Sequence, residues 1–388
     1  MANTLTGLIR TIYDARNVIS RERIGFIPAV TKNSTADYAA LNQTITVPIA
    51  AAVTSEADNT AAVTPPDTGD VTASSVDMTI SNSKHIPVRF NGEETLALQN
   101  SGTYDDFISQ RFQQAFRRLD NLIEADLANS YKYASRATGT AGTTPFNTAG
   151  TITDFANVLR ILDDNGCPDD GMLRLVLSNA AIQNLRGKQS VFYQQNTAGT
   201  DEMLRDGKIA RAFGFNIGQS GQVKTHTKGT TTDATLTSTD YAVGSTTLTL
   251  AATGSGTIVE GDFVNIAGEN NGIYYGVRTG DAAVGDAGTV VLNSPGLTIA
   301  QTTNTSLITP IANFSANLAF HPTAIQLMTR VPAMGNDLAV AKQMIYDEVS
   351  GMTYEVAEYP GFGQVTFHVR IAWGYKVIKP EHVAVLLG

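Results

Sequence analysis

Residues Thr103–Ala134 read TYDDFISQRFQQAFRRLDNLIEADLANSYKYA, and the reading of this stretch decides the fold. Tyr104, Phe107, Ile108, Phe112, Ala115, Phe116, Leu119, Leu122, Ile123, Leu127 and Tyr131 fall three or four apart, which lays them on one face of an α-helix. The spacing predicts one helix over the whole stretch, roughly 45 Å long at about 1.5 Å per residue. Thr103 occupies the N-cap position with Asp106 three residues on, and Gly139 and Gly142 mark where helix propensity has ended. Phe107, Phe112, Phe116, Leu119 and Ile123 form the centre of the apolar face and are the first candidate structural residues.

Around that helix the chain is long and poor in charge. Its 388 residues exceed what one core usually organises, so two or three units are expected. Only 16% of residues are charged, and such a surface suits coverage by neighbours better than life as a monomer. A formal charge of −9 argues against strong nucleic-acid binding, which needs clustered Lys and Arg. Any DNA is then contained through weak, non-specific contact. The single cysteine, Cys167, excludes an internal disulfide framework. No signal peptide and no run of eighteen apolar residues is visible, so a soluble cytoplasmic protein without membrane contact is expected.

Before the helix, Leu5, Leu8, Ile9, Ile12, Arg16 and Ile19 place apolar groups on one side of an amphipathic N-terminal arm. Its basic excess reads either as a solvated helix face or as a docking arm for a partner or DNA. Ile45, Val47, Ile49 and Val76, Met78, Ile80 are β-prone ends around an Ala/Thr/Ser stretch with Pro65, Pro66 and Gly69, which reads as a long hairpin or as a linker. His85, Pro87, Arg89 and Phe90 follow as a short strand. After the helix, Phe155, Val158, Leu159 and Leu162 predict a second helix capped by Thr151 or Thr153 and stopped at Gly166 and Pro168. Leu173, Leu175, Val176 and Leu177 predict a buried strand, and Ser178 or Asn179 caps the helix of Ile182 and Leu185. From Val223 to Thr309 short strands alternate with glycine turns, the pattern of a small β-barrel or sandwich inserted in an α/β domain. A helix over Ala324, Ile325, Leu327 and Met328 is expected after Pro322, followed by strands Met352–Val356, Val365–Ile371 and Tyr375–Ile378.

Motifs for chemistry are absent. The five histidines stand far apart in no metal-ligand spacing, and His321 reads as a structural residue before Pro322. Gly361-Phe362-Gly363 lacks the third glycine of a dinucleotide loop, and Gly218-Gln219-Ser220-Gly221 fails the nucleophile-elbow spacing. The acidic group around Gly166 (Asp163, Asp164, Asp169, Asp170) does not match a calcium loop. No catalytic residue, cofactor or metal is expected.

The order of parts, with three local stretches, resembles the major capsid proteins of tailed bacteriophages of the Hong Kong ninety-seven type, and within them the coat proteins of short-tailed Salmonella phages. Leu204-Arg205-Asp206-Gly207-Lys208-Ile209 with Phe213-Gly214-Phe215 is similar to the stretch before the inserted domain of those proteins. Leu318-Ala319-Phe320-His321-Pro322 resembles the segment where the interrupted domain resumes, and Trp373-Gly374-Tyr375 the closing strand. Phe215, Phe320 and Trp373 join the candidate structural residues on this ground, beside Leu8 and Ile12 of the arm. The resemblance implies an α+β phage capsid fold: an arm (1–43), an extended β-hairpin loop (44–83), a peripheral strand, spine helix and connector (84–150), an α/β apical domain (151–222 and 310–350), an inserted small β-barrel (223–309) and peripheral C-terminal strands (351–388). It implies self-assembly into hexamers and pentamers of an icosahedral virion shell around double-stranded DNA, in the bacterial host cytoplasm, with scaffolding protein and portal as partners. A β-rich surface adhesin is the alternative, and an enzyme a more remote one.

Some relatives cross-link their shells through a lysine of the extended loop, but no lysine lies between Thr44 and Ser83 here. A non-covalent shell follows. Mature particles on a denaturing gel are expected to run as the monomer, and high-mass ladders would contradict this.

Overall fold

The computed structural model describes residues 22–33, 40–49, 74–100, 104–148, 151–187, 209–237, 240–267, 272–301, 306–334, 338–347 and 350–388. The arm positions Leu8 and Ile12, the Thr103 cap, residues 50–73 of the loop and the stretch 204–208 lie outside these. The long helix is present over Tyr104–Ala128, about 37 Å. It is shorter than the spacing suggests, because the chain tightens at Asn129-Ser130, two residues of low helix propensity, into a 3₁₀ turn, Asn129–Tyr133. Tyr131 keeps its place on the apolar side and is buried.

That face rests on a six-stranded sheet. Its middle is Gln364–Val377, fourteen residues, where the sequence suggested two separate strands. Gly374 carries the chain through, since a Cβ there would lie 2.1 Å from the Thr79 carbonyl oxygen. One edge of this strand pairs with Asn82–Asn91, and the other with Met352–Gly361 and Ile325–Arg330. Ala341–Asp347 flanks Met352–Gly361, and Thr31–Asn33 lies parallel to Ile325–Arg330. The expected helix after Pro322 is therefore a strand, Ile325–Arg330, preceded by one 3₁₀ turn with His321 at its cap. Sheet pairing on both sides outweighs the local pattern. Phe112 packs edge-on against Phe367 at 5.4 Å and Phe116 against Tyr354 at 5.2 Å. Each fully buried aromatic ring contributes about 2–3 kcal/mol.

A second sheet of thirteen strands runs along the other side of the molecule. Phe314–Phe320 lies between Val383–Leu387 and Arg174–Leu177, and Phe215–Gln219 is parallel to the latter. Helices Thr153–Asp164 and Asn179–Arg186 cover it, burying Phe155, Val158, Ile161, Leu162 and Leu185. Ser178 caps the second helix, accepting from the Ala181 amide. The first has Ile152 at its cap with no side-chain bond, so neither threonine serves. Leu159 is only partly buried. Residues 223–309 form short antiparallel strands around a separate core of Leu248, Leu250, Val264, Ile266, Val277, Val290 and others. They are not a detached sheet: Ile273–Tyr275 pairs with Arg136–Thr138, which pairs in turn with Ala384–Leu386.

The base of the extended loop is the expected hairpin, Thr44–Ile49 against Ser74–Thr79, with Ile45 opposite Met78 and Val47 opposite Val76. Several elements escape the sequence reading, among them the strands Thr31–Asn33, Arg136–Thr138, Phe215–Gln219, Phe314–Phe320 and Ala341–Asp347 and the helix Gly92–Asn100. The helix did carry a signal, a reciprocal cap in which the Glu94 amide donates to Asn91 Oδ1 and the Asn91 amide to Glu94 Oε2. No helix among the described residues is long and apolar enough to cross a membrane.

Phe116 is 4% exposed. Phe116→Asp is expected to cost about 4 kcal/mol or more, since it replaces a buried ring packed on Tyr354 by a carboxylate for which no donor is placed. Circular dichroism should show no cooperative melt; a folded variant with wild-type Tm would refute the helix-face assignment.

Candidate functional site

The feature that joins the arm, the loop and both sheets is the long helix, and its polar contacts are as telling as its apolar ones. Asp120 and Glu124 follow Phe116 at four-residue intervals, so they sit inside the apolar stripe, each about 1% exposed. Each meets a remote segment. Tyr354 of the six-stranded sheet donates its hydroxyl to Asp120 Oδ1. The Ile27 amide donates to Glu124 Oε1 at 2.9 Å, and the Phe26 amide and Ser220 Oγ to Oε2 at 3.2 and 2.9 Å. Burial pushes the Glu124 carboxyl up, and these three donors draw it partly back. Burial, reinforced by Asp120, pushes the Tyr354 phenol up strongly. Asp126, half-buried on the next turn, accepts from Trp373 Nε1 at 2.8 Å and Asn82 Nδ2 at 3.1 Å.

The root of the arm is clasped as well. Arg117 and Glu22 form a two-pronged pair, and Asn121 Nδ2 adds a bond of 2.9 Å to Glu22. Arg117 holds the Glu22 carboxyl down at about 2 against an ordinary 4.5. With the folded value depressed, the clasp is complete above about pH 4.5 and is lost as pH falls toward 2. At the far end, Tyr131 Oη lies 2.9 Å from His226 Nδ1, whose Nε2 lies 2.8 Å from Asp262 Oδ1. Asp262 also accepts from the amides of Gly229 and Val259. A neutral His226 satisfies the chain: Nδ1 accepts from the phenol and Nε2–H donates to the carboxylate. Burial, with Asp262 nearby, pushes Tyr131 up to about 12. This buried row ties residues 223–309 to the end of the helix.

Phe112, Phe116, Leu119, Ile123, Phe320 and Trp373 meet in one core. Phe215 is equally buried but belongs to the second, beside Phe155 at 6.4 Å. Phe107 is corrected: it is 38% exposed, at the margin of the stripe, edge-on to Phe90 and beneath the Arg111 guanidinium. The turn Phe213-Gly214 has positive φ at both residues, 49° and 82°, a two-residue hairpin turn with Phe213 stacked on Phe155. The carboxylates were missed by a search for apolar periodicity alone; acids placed within the stripe were the available signal. Around Gly166, Asn165 and Asp170 are engaged in the fold, Asn165 donating to Ser135 and to the Glu381 carbonyl, and Asp170 bonded to His321. Burial pushes the nearby Cys167 thiol up to about 11.

No protein-family model and no curated protein matches this chain. Solved structures do. A chain from a structure of Mycobacterium phage Che8 superposes with a TM-score of 0.52 at 14% identity, covering 95% of this chain and 92% of that one. A chain of the capsid structure of cyanophage P-SCSP1u gives a TM-score of 0.50 at 13% identity, covering 96% and 90%. What is shared at this identity is the fold, α+β, over nearly the full length of both partners.

Glu124→Ala leaves two buried amides and a hydroxyl without their acceptor. A loss of about 3 kcal/mol is expected, read as a lower urea midpoint; an unchanged midpoint would show that the Phe26–Ile27 segment is held by other contacts.

Proposed function

We propose that this chain is the major capsid protein of a tailed bacteriophage, a structural subunit that associates with itself into hexamers and pentamers of an icosahedral shell around double-stranded DNA. The observation that carries the reading is the full-length likeness of fold to the cyanophage capsid chain. The charge-poor composition and the apolar side chains left exposed near the rim of the six-stranded sheet agree with it. In this reading the long helix is the spine, 44–83 the extended loop, and the six-stranded sheet the peripheral domain. Strands Ile325–Arg330 and Ala341–Asp347 go with that sheet, although the order of parts had grouped 310–350 with the apical domain. Residues 151–222 with Phe314–Phe320 are the apical domain, and 223–309 the insertion, which resembles that of the short-tailed Salmonella phage coat proteins.

Such a shell works by many modest contacts repeated by symmetry, each weak enough to be corrected during growth and strong in sum. The net acidity suits a container, since an interior without a basic lining does not grip the packaged polymer. Assembly in the host cytoplasm, a scaffolding protein and a portal complete the proposal.

Electron microscopy of the purified protein, alone and co-expressed with a candidate scaffold, tests it. Closed shells or capsomer-sized rings are expected. A monomer at every concentration, with and without scaffold, would sink the reading.

A further inference from the structure

Among the described residues, Arg330 is a buried basic group without a full set of partners. Arg330 ends the strand Ile325–Arg330 and is 7% exposed. Its Nη1 donates to the Val331 carbonyl beside it at 2.8 Å, while its Nε has no hydrogen-bond partner among the described residues. A guanidinium offers five donors in a planar fork and cannot shed its charge, so a buried one left in this state costs stability unless an acceptor arrives. It lines a cavity of about 440 Å³ with Thr329, Val331, Met344, Gly351 and Thr353. Lys32 Nζ donates to the carbonyls of Ser350 and of the lining residue Gly351 at 2.7 and 2.8 Å, and its charge is met by the buried Asp120 and Asp347, which leaves Arg330 as the cation facing the cavity among the described residues. The nearby Glu355 does not serve Arg330, being bound to Arg370 Nε at 2.5 Å.

The cavity opens where the sheet ends. Ala341–Asp347 is the terminal strand of the six-stranded sheet among the described residues, and its outward Met344 is 64% exposed, with Val340 before it at 70%. Buried positive charge at a half-polar mouth, with the exposed Met344 and Val340 beside it, fits a carboxylate whose flanking residues include apolar ones. The chain itself supplies such segments, with 36 acidic against 27 basic residues.

We propose that Arg330 receives a carboxylate from a second copy of this chain when subunits associate, with Met344 and Val340 covered by the same contact. This rests on the reading of the chain as a shell subunit.

The full-length variant Arg330→Lys, mixed as labelled and unlabelled copies before assembly and treated with a zero-length carbodiimide, puts an amine where the carboxylate should arrive. Mass spectrometry is expected to find the introduced amine amide-linked to an acidic peptide of the other isotope in assembled protein and not in dissociated protein. Linkage only within one copy, linkage to a different co-purifying protein, or no linkage would overturn the proposal. Arg330→Met, which keeps the volume and removes the charge, is expected to raise the concentration threshold for assembly at least tenfold with the melting temperature of the subunit held or increased. If the wild type assembles and Arg330→Met assembles at the same threshold, the Arg330 contact is wrong and the shell reading stands. If the wild type never associates, both fall.

Discussion

The structure depends on the desolvation of two carboxylates. Asp120 and Glu124 are carried into the core by the same turns that bury Phe116, Leu119 and Ile123, and an acid in that position is tolerable only with its hydrogen bonds supplied. The donors come from three places distant in sequence: Tyr354, the backbone of Phe26 and Ile27, and Ser220. An apolar stripe by itself would let the helix slide or roll on its sheet with little penalty. The carboxylates fix one seating, because any other leaves acceptors and donors apart. Asp126, gripping Trp373 and Asn82, pins the axial position from the partly solvated side.

This arrangement separates two jobs within one helix. Apolar burial against Phe367, Val369 and Tyr354 supplies the bulk of the stabilisation and is indifferent to small shifts. The polar contacts add less but are directional, and they gather the root of the arm, both sheets and residues 223–309 around one rod. Arg117 with Glu22 and Tyr131 with His226 extend the same logic to the two ends. In the proposed shell, where every copy would present the same edges, that positional certainty is what repetition by symmetry requires.

The long helix, the hairpin base, the Ser178 cap and the strands of 223–309 were legible because each has a strong local period or a turn residue with one physical meaning. The segment after Pro322 was not. Ile325, Leu327 and Met328 fit either period over so short a run, and pairing with Gln364–Val377 and Thr31–Asn33 decided for strand. Likewise the strands expected at Val365–Ile371 and Tyr375–Ile378 are one, because Gly374 lets the chain pass close to Thr79 without interruption. The polar contacts were invisible for a different reason: Glu124 and its donors are separated by nearly a hundred residues, and nothing in a local window announces such a meeting. Phe107 erred the other way: it keeps the spacing but lies at the margin of the stripe, so that Ile108 beside it is buried while Phe107 is not.

Strand order carries a consequence for synthesis. Gln364–Val377 lies in the middle of the six-stranded sheet, and Val383–Leu387 lies between Arg136–Thr138 and Phe314–Phe320 in the other. Both are translated after every strand they join. The earlier segments therefore wait as open edges, and the pairings across long separations, such as Asn82–Asn91 with Gln364–Val377 and Arg136–Thr138 with Val383–Leu387, form slowly. A nascent chain therefore carries two unfinished sheets until these strands have been made. In the proposed shell, that order would keep association behind translation.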